Sequence, residues 1–276
     1  MNAIFKFNSA TRLYALFGDP VAHSLGPVMH NAAFREERIN AVYLAFNVPS
    51  VDKAIAAIKT LDIAGASITI PHKETVIPLL DGVDSLALSM GAVNTVVNRE
   101  GKLFGYNTDC MGAVDPLEGV CDLNGRRVVV FGAGGAARAV VFGVKQRGAI
   151  PFIVNRSKER GEKLAHELGA TFISSDDVEN VDPEIIVNAT ALGMTPATDT
   201  IPLDPEILKS SMVVMDIVYT PLETALIHAA RKKGCTVIDG TAMFVNQGAL
   251  QFELFTGKPA PVKTMKSALL KALEKR

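Results

Sequence analysis

The stretch Arg127-Val-Val-Val-Phe131 runs straight into Gly132-Ala-Gly-Gly-Ala-Ala-Arg138, and this is the part of the chain best suited to hold a phosphate. Three β-branched residues in a row suit a strand buried on both faces. Gly132 and Gly134 permit a tight turn and a close backbone approach to a pyrophosphate, with Ala133, Gly135 and Ala136 completing the turn and Ala137 in the packing position. A helix from Ala136 to Val144 would aim its first N–H groups and the positive end of its dipole at that anion. The next strand, Ile150 to Val154, ends in Asn155-Arg156-Ser157, about 20 residues beyond the first glycine, where NAD binders place an acid on the ribose hydroxyls. No carboxylate stands there, and Lys158 and Arg160 follow. A 2′-phosphate would be attracted, so the expected cofactor is NADP. The same cations equally suit the solvated first turn of a helix from Lys158 to Leu168.

Other loops carry small polar side chains between apolar runs. Gly18-Asp19-Pro20-Val21-Ala22-His23-Ser24-Leu25-Gly26-Pro27 leads into a helix with Pro27 near its start, the kind of loop that often binds ligands. Ser67-Ile-Thr69-Ile-Pro71-His72-Lys73-Glu74 puts a hydroxyl and an amine just beyond a buried strand. By itself Lys73 also reads as a surface lysine. Asn94 in Gly91-Ala-Val-Asn94-Thr95 suits a turn cap, and Asp109 in Gly105-Tyr-Asn107-Thr108-Asp109 suits a cap on a helix from Cys110 to Val120. Downstream, Asn188-Ala-Thr190 and Asp216-Ile217-Val-Tyr219 follow strands, and Gln247 would project from a helix that starts near Gly240. Tyr219 would face a cleft in a parallel sheet or sit exposed on its loop.

The elements that must position these groups can be read from the hydrophobic pattern. Leu13–Phe17, Pro27–Glu37, Val42–Phe46, Val51–Leu61 and Ala66–Ile70 alternate as βαβαβ, with Ser50 as the expected cap of the second helix and Val51, Ala54, Ile55 and Ile58 on one face. That pattern predicts an open α/β sheet with ligands at the carboxyl ends of its strands. Strands at Ile185–Val187, Val213–Ile217 and Thr236–Ile238 and a helix at Leu222–Lys233 continue the nucleotide-binding half. A last helix, Lys263–Lys275, has Met265, Leu269, Leu270 and Leu273 at helical spacing and is expected to return to the first half. The fold class is therefore α/β with two domains. Residues 1–109 with 244–276 form the first, 110–243 the second, and a helix near Asp109–Gly125 connects them.

Bulk properties narrow the partners. A chain of 276 residues, 48% hydrophobic, can fill two modest cores. A net charge of −1 and a pI near 6.5 give no field for nucleic acid or an anionic membrane. Small molecules are the expected partners, with a monomer or homodimer as the assembly. Cys110, Cys121 and Cys235 are far apart and lack metal-site spacing, so no metal and no disulfide is expected. No apolar run is long enough to span a bilayer, the first residues lack a signal-peptide core, and a cytoplasmic protein is expected.

Taken in order, Gly18-x-Pro20-x-x-His23-Ser24, Thr69-x-Pro71-x-Lys73, Asn94-Thr95, Asn107-Thr108-Asp109, the glycine turn, Asn155-Arg156-Ser157, Asn188-Ala-Thr190 and Gln247 make the chain resemble the shikimate dehydrogenases over essentially its whole length. The resemblance implies an N-terminal substrate-binding domain and a Rossmann-type NADP-binding domain, and reversible, NADPH-dependent reduction of 3-dehydroshikimate to shikimate. It implies Lys73 and Asp109 as the catalytic pair. Reducing a ring ketone needs a hydride on carbon and a proton on the developing alkoxide, and a positioned ammonium can deliver that proton or stabilise that charge. It further implies Thr69, Asn94, Gln247 and Asp109 on the substrate hydroxyls, and Ser24 and Tyr219 on its carboxylate. NADP would be bound by Gly132 to Ala136, Asn155, Arg156, Ser157, Arg160, Thr190, Ile217 and Gly240, with Arg156 on the adenine and Arg160 on the 2′-phosphate.

Two positions depart from the family pattern. Ser24-Leu25-Gly26 stands where the family has Ser-x-Ser, which removes a hydroxyl from the carboxylate site and leaves room for a bulkier acid such as quinate. Ser67 stands where asparagine is frequent. A quinate/shikimate dehydrogenase using NAD or NADP is the nearest alternative. A catalytically silent NADP-binding sensor is the alternative from another class.

Overall fold

The computed structural model describes residues 7–275, which form two compact units. One runs to Thr108 and resumes at Gly248; the other is Asp109–Gln247.

The first unit contains β1 (Arg12–Gly18), α1 (Gly26–Glu36), β2 (Ala41–Asn47), α2 (Val51–Thr60), β3 (Gly65–Ile68), β4 (Gly82–Val83), α3 (Ser85–Met90), β5 (Thr95–Arg99) and β6 (Lys102–Tyr106). Its sheet has the order β2-β1-β3-β5-β6-β4. β1 is parallel to β2 and β3, whereas β5 is antiparallel to both β3 and β6. The sheet is thus mixed, and the β5–β6 hairpin was not expected from the sequence. Its turn uses Glu100 (φ 54) and Gly101 (φ 84), two left-handed residues that match the twist of the flanking strands. A glutamate in that conformation is uncommon, and Asn-Gly or Asp-Gly would have signalled the turn.

α2 buries Ala54, Ile55 and Ile58 as its spacing requires. Ser50 has the extended backbone of an N-cap, but its side chain makes no capping bond; the hydroxyl instead donates to the Asp52 carboxylate at 3.4 Å. A nearby carboxylate acceptor redirected the expected cap. β2 lies at the border of the sheet, and there the Asn31 side chain of α1 pairs with both backbone groups of Tyr43, donating to its carbonyl at 2.8 Å and accepting from its N–H at 2.9 Å.

The second unit contains α4 (Asp109–Glu118), β7 (Arg127–Phe131), α5 (Gly135–Gln146), β8 (Ile150–Val154), α6 (Lys158–Leu168), β9 (Thr171–Phe172), β10 (Ile185–Asn188), β11 (Val213–Asp216), α7 (Ala225–Lys232) and β12 (Thr236–Ile238). The sheet order is β12-β11-β10-β7-β8-β9, and every pairing in it is parallel. Val128, Val129 and Val130 are fully buried, split between two core clusters on opposite faces of the sheet. This doubly covered parallel sheet reverses its strand order between β7 and β10, the place where such sheets bind dinucleotides. α8 (Gly240–Thr256) begins in the second unit and ends in the first, where α9 (Val262–Leu273) packs against α1. Among the described residues no helix is long and apolar enough to cross a membrane.

Candidate active site

In the first unit the polar motifs gather at one end of the sheet. β1 and β3 are parallel, so the segments that leave their carboxyl ends lie side by side. The antiparallel β5 starts at that end and β6 finishes there. Gly18 closes β1 where any side chain would collide with Thr69 and the Ile70 carbonyl, which is why this position is glycine. Thr69 is held by a bond from its N–H to the Phe17 carbonyl at 2.9 Å. Four residues on, the half-buried Lys73 accepts at its carbonyl from Val93 N–H at 2.8 Å, which ties the lysine segment to the one carrying Asn94. His72 is 3% exposed and its Nε2 lies 2.6 Å from the Val48 carbonyl, so it serves the packing of the loop.

Asn94 is 2% exposed and organises this end. Its Oδ1 accepts from Thr108 N–H at 2.9 Å and from the Thr95 hydroxyl at 2.8 Å, while its amide donates to Thr108 Oγ1 at 2.9 Å. It is therefore a buried clamp between β5 and the chain leaving β6, beyond the simple turn cap that also suited it. Ser24, half-buried, accepts from the Gly26 N–H at 3.1 Å, so its hydroxyl closes the loop while retaining a proton to donate. A Cβ on Gly26 would stand 3.3 Å from Ser24 Oγ and 3.7 Å from Tyr43 Oη. The space left by the glycine is narrow on the Ser24 side.

Behind these residues runs a polar chain that sequence reasoning missed. Tyr43 Oη donates to Ser67 Oγ at 2.7 Å, Ser67 donates to Gln251 Oε1 at 2.7 Å, and the Gln251 amide donates to the Asn94 carbonyl at 3.3 Å. Gln251 is 3% exposed. The available signal was its spacing of one helical turn from Gln247 on a mostly apolar helix. His30 stacks on Tyr43 with ring centres 4.4 Å apart. Burial holds His30 down to about 4 and pushes the Tyr43 phenol well up, so both are neutral near pH 7.

In the second unit, Gly132 has φ 120 and faces the Ala189 carbonyl, which a Cβ would approach to 2.9 Å. Only glycine fits there without strain. Gly134 is the N-cap of α5, is exposed, and opens onto free space. Gly135 and Ala136 form the first turn of α5, and Ala133 packs on the core below. Backbone N–H groups at the start of a 12-residue helix, beside a glycine whose Cβ position is open, fit a pyrophosphate. At the end of β8, the Asn155 amide donates to the Ser157 carbonyl at 2.8 Å, and Ser157 caps α6 by accepting from Arg160 N–H at 3.4 Å. Arg156 and Arg160 are exposed beside this turn, where two cations would attract a 2′-phosphate. The residues present therefore fit NADP.

The other half of the sheet edge is a set of linked loops. The Asn188 Oδ1 accepts from Thr190 N–H at 3.1 Å and from its hydroxyl at 2.7 Å, and the Asn188 carbonyl accepts from Ile217 N–H at 3.1 Å. Gly240 abuts the carbonyls of Ile217 and Val218 so closely that no side chain fits. Tyr219 is half-buried with its ring on Phe244, 4.4 Å between centres. Gln247 is half-buried and donates to the Phe244 carbonyl at 3.0 Å, so it turns back along its own helix. Its backbone packs on Gly112, one turn after the buried Asp109 that opens α4. Beneath the loops lies Asp216, fully buried, whose carboxyl is lifted by burial to about 6.

Comparison with known proteins gives this geometry a family. The family model described as "Shikimate dehydrogenase substrate binding domain" matches residues 16–96, and "Shikimate 5'-dehydrogenase C-terminal domain" matches 240–270. The shikimate dehydrogenase (NADP(+)) of Moorella thermoacetica is 43% identical, with 98% of this chain and 96% of that protein covered. A crystal structure of a shikimate dehydrogenase in complex with NADP+ superposes with a TM-score of 0.93 at 39% identity, covering 97% of this chain and 98% of the other. That of Thermus thermophilus shikimate 5-dehydrogenase with NADP(H) and shikimate gives 0.88 at 35%, covering 95% and 100%. A parallel dinucleotide sheet, a polar end on the mixed sheet and near full-length identity to these enzymes place the chain in the shikimate dehydrogenase family.

Proposed function

We propose that the chain is an NADP-dependent shikimate dehydrogenase that reversibly reduces 3-dehydroshikimate to shikimate, a step toward chorismate and the aromatic amino acids. The observation that carries this reading is its near full-length identity to enzymes named for that activity and cofactor. The Gly132–Ala136 turn and the cations Arg156 and Arg160 support NADP as the nucleotide. Bound NADPH supplies the hydride.

The residues of this chain do the rest. Lys73 stabilises the negative charge that develops on the ketone oxygen and delivers a proton to it; in the oxidative direction it takes that proton back. Asp109 is the second catalytic residue and accepts a substrate hydroxyl. Thr69, Asn94 and Gln247 bind the remaining hydroxyls, Asn94 through the second N–H of the amide that already holds Thr108. Ser24 and Tyr219 donate to the carboxylate, and neutral donors suit a monoanion. Asn155, Ser157, Thr190, Ile217 and Gly240 shape the cofactor cleft. The assembly is a monomer or homodimer.

One observation favours a second reading. Gly26 lacks a hydroxyl for the carboxylate, which loosens the preference for shikimate over quinate. Steady-state kinetics on both acids with NADP+ and NAD+ separate the two. The expected result is a larger kcat/KM for shikimate with NADP+; a larger value for quinate with NAD+ would overturn the primary reading.

A further inference from the structure

Asp216 ends β11 with no exposed surface, and the three groups that bond its carboxylate are all neutral. Oδ1 accepts from the Asn188 amide at 3.0 Å and from the Val218 N–H at 3.0 Å, and Oδ2 accepts from the Thr224 hydroxyl at 2.6 Å. A buried carboxylate without a counter-cation is costly, and a neutral residue of the same size would fill the space at less cost. What the carboxylate adds is acceptor capacity in two directions at once. Through Asn188 it reaches the loop after β10, because that side chain also donates to the Leu192 carbonyl at 3.1 Å and accepts from Thr190. Through Val218 it sets the loop after β11, whose carbonyls meet Gly240. Both loops lie on the β10–β11 side of the strand-order reversal. The phosphate turn sits at the reversal, and the adenine-side residues Asn155 to Arg160 sit beyond β8 on the other side. A dinucleotide laid across that crevice brings its nicotinamide half over β10 and β11.

We propose that Asp216 is a positioning residue for the nicotinamide end of the cofactor, its buried carboxylate fixing the loops 189–194 and 217–219 that receive the ring. This rests on the NADP reading above. It predicts a split between the two halves of the cofactor that a general loss of stability does not produce. Asp216→Ala removes both acceptor oxygens, so the bonds from Asn188, Val218 and Thr224 that tie the loops together are lost. Losing one such bond at the ring end weakens NADP+ by about two- to tenfold. Adenosine 2′,5′-bisphosphate, which stops short of the nicotinamide, binds as in the parent protein. Thr224→Val removes only the hydroxyl bond to Oδ2 and provides a milder variant if Asp216→Ala does not fold.

Calorimetric titration of the parent and both variants with each ligand tests this. A selective loss for NADP+ in a folded variant supports the proposal. Equal weakening of both ligands, or no change in either, overturns it. If the parent itself binds neither ligand, the NADP reading is what fails.

Discussion

Adding back a hydroxyl at Gly26 is the most direct probe of substrate choice. Gly26 sits in the first turn of α1 and is absent from the glycines with positive φ, so Gly26→Ser meets no backbone strain. The new Cβ would lie 3.6 Å from a Tyr43 ring carbon and 3.7 Å from its hydroxyl oxygen, ordinary contact, but 3.3 Å from Ser24 Oγ, which must yield by a few tenths of an ångström. Ser24 can yield because it is only half-buried and its bond to the Gly26 N–H, at 3.1 Å, has room to lengthen. Replacing glycine also removes unfolded-state freedom worth about 0.4–1 kcal/mol, so stability should change little. A neutral hydrogen bond to the substrate carboxylate contributes about 0.5–1.5 kcal/mol, which is roughly two- to tenfold in affinity. Quinate carries a tetrahedral, hydroxylated carbon next to its carboxylate and meets the added side chain. The expected outcome is a KM for shikimate lower by about two- to tenfold, with quinate unimproved or worse, and kcat nearly unchanged. Steady-state kinetics on the two acids measure this. Equal effects on both would refute the argument that Gly26 shapes selectivity.

Lys73→Ala should lower kcat by about 10²- to 10⁴-fold while NADP+ affinity stays near that of the parent; undiminished turnover would remove the lysine from its assigned role. Gly132→Ala forces a side chain into a φ of 120 and against the Ala189 carbonyl, so urea denaturation should show a loss of about 1–3 kcal/mol, accompanied by weaker NADP+ binding. An unaltered midpoint would mean the turn tolerates a side chain. Asp216 also leaves a signature in stability against pH. Its carboxyl rises from 3.8 to about 6 on folding, so the native state binds the proton more tightly than the unfolded chain. This group's contribution to stability is therefore full below pH about 4, falls as pH rises through about 6, and is flat above. Relative to the parent, Asp216→Asn should gain about 3 kcal/mol across that window, and a difference independent of pH would contradict the assignment.

The sequence was most legible where one physical demand dominates. Val128–Val130 followed by Gly132 and Gly134 allow few local solutions, and the strand, turn and helix were found there. Thr69, Lys73 and Asn94 could be named as candidates because apolar runs bracket them. Their company could not be named, because the partners of Asn94 come from Thr108 and Gln251, distant in sequence. The β5–β6 hairpin was hidden by Glu100 at a position that usually announces itself with asparagine or aspartate. Ser50 stands at the expected N-cap position, but its hydroxyl turns to Asp52 two residues away, and which acceptor a hydroxyl meets is not written in local pattern. Asp216 stood in a segment whose tyrosine drew the functional expectation, and nothing in its spacing revealed that it is fully buried. Local pattern specified elements; the polar ties between them depend on tertiary placement.

Asn31 bears on how the protein behaves in a crowded solution. A seven-residue border strand whose outward amides are vacant is a template onto which another chain can zip, the first step of intermolecular sheet growth. By occupying both outward groups of Tyr43 with one side-chain amide, Asn31 imitates a neighbouring strand for a single rung and stops there. An incoming chain must evict it before pairing at the middle of β2. The first unit thus keeps a long, regular strand at its margin while denying strangers the central foothold they would need.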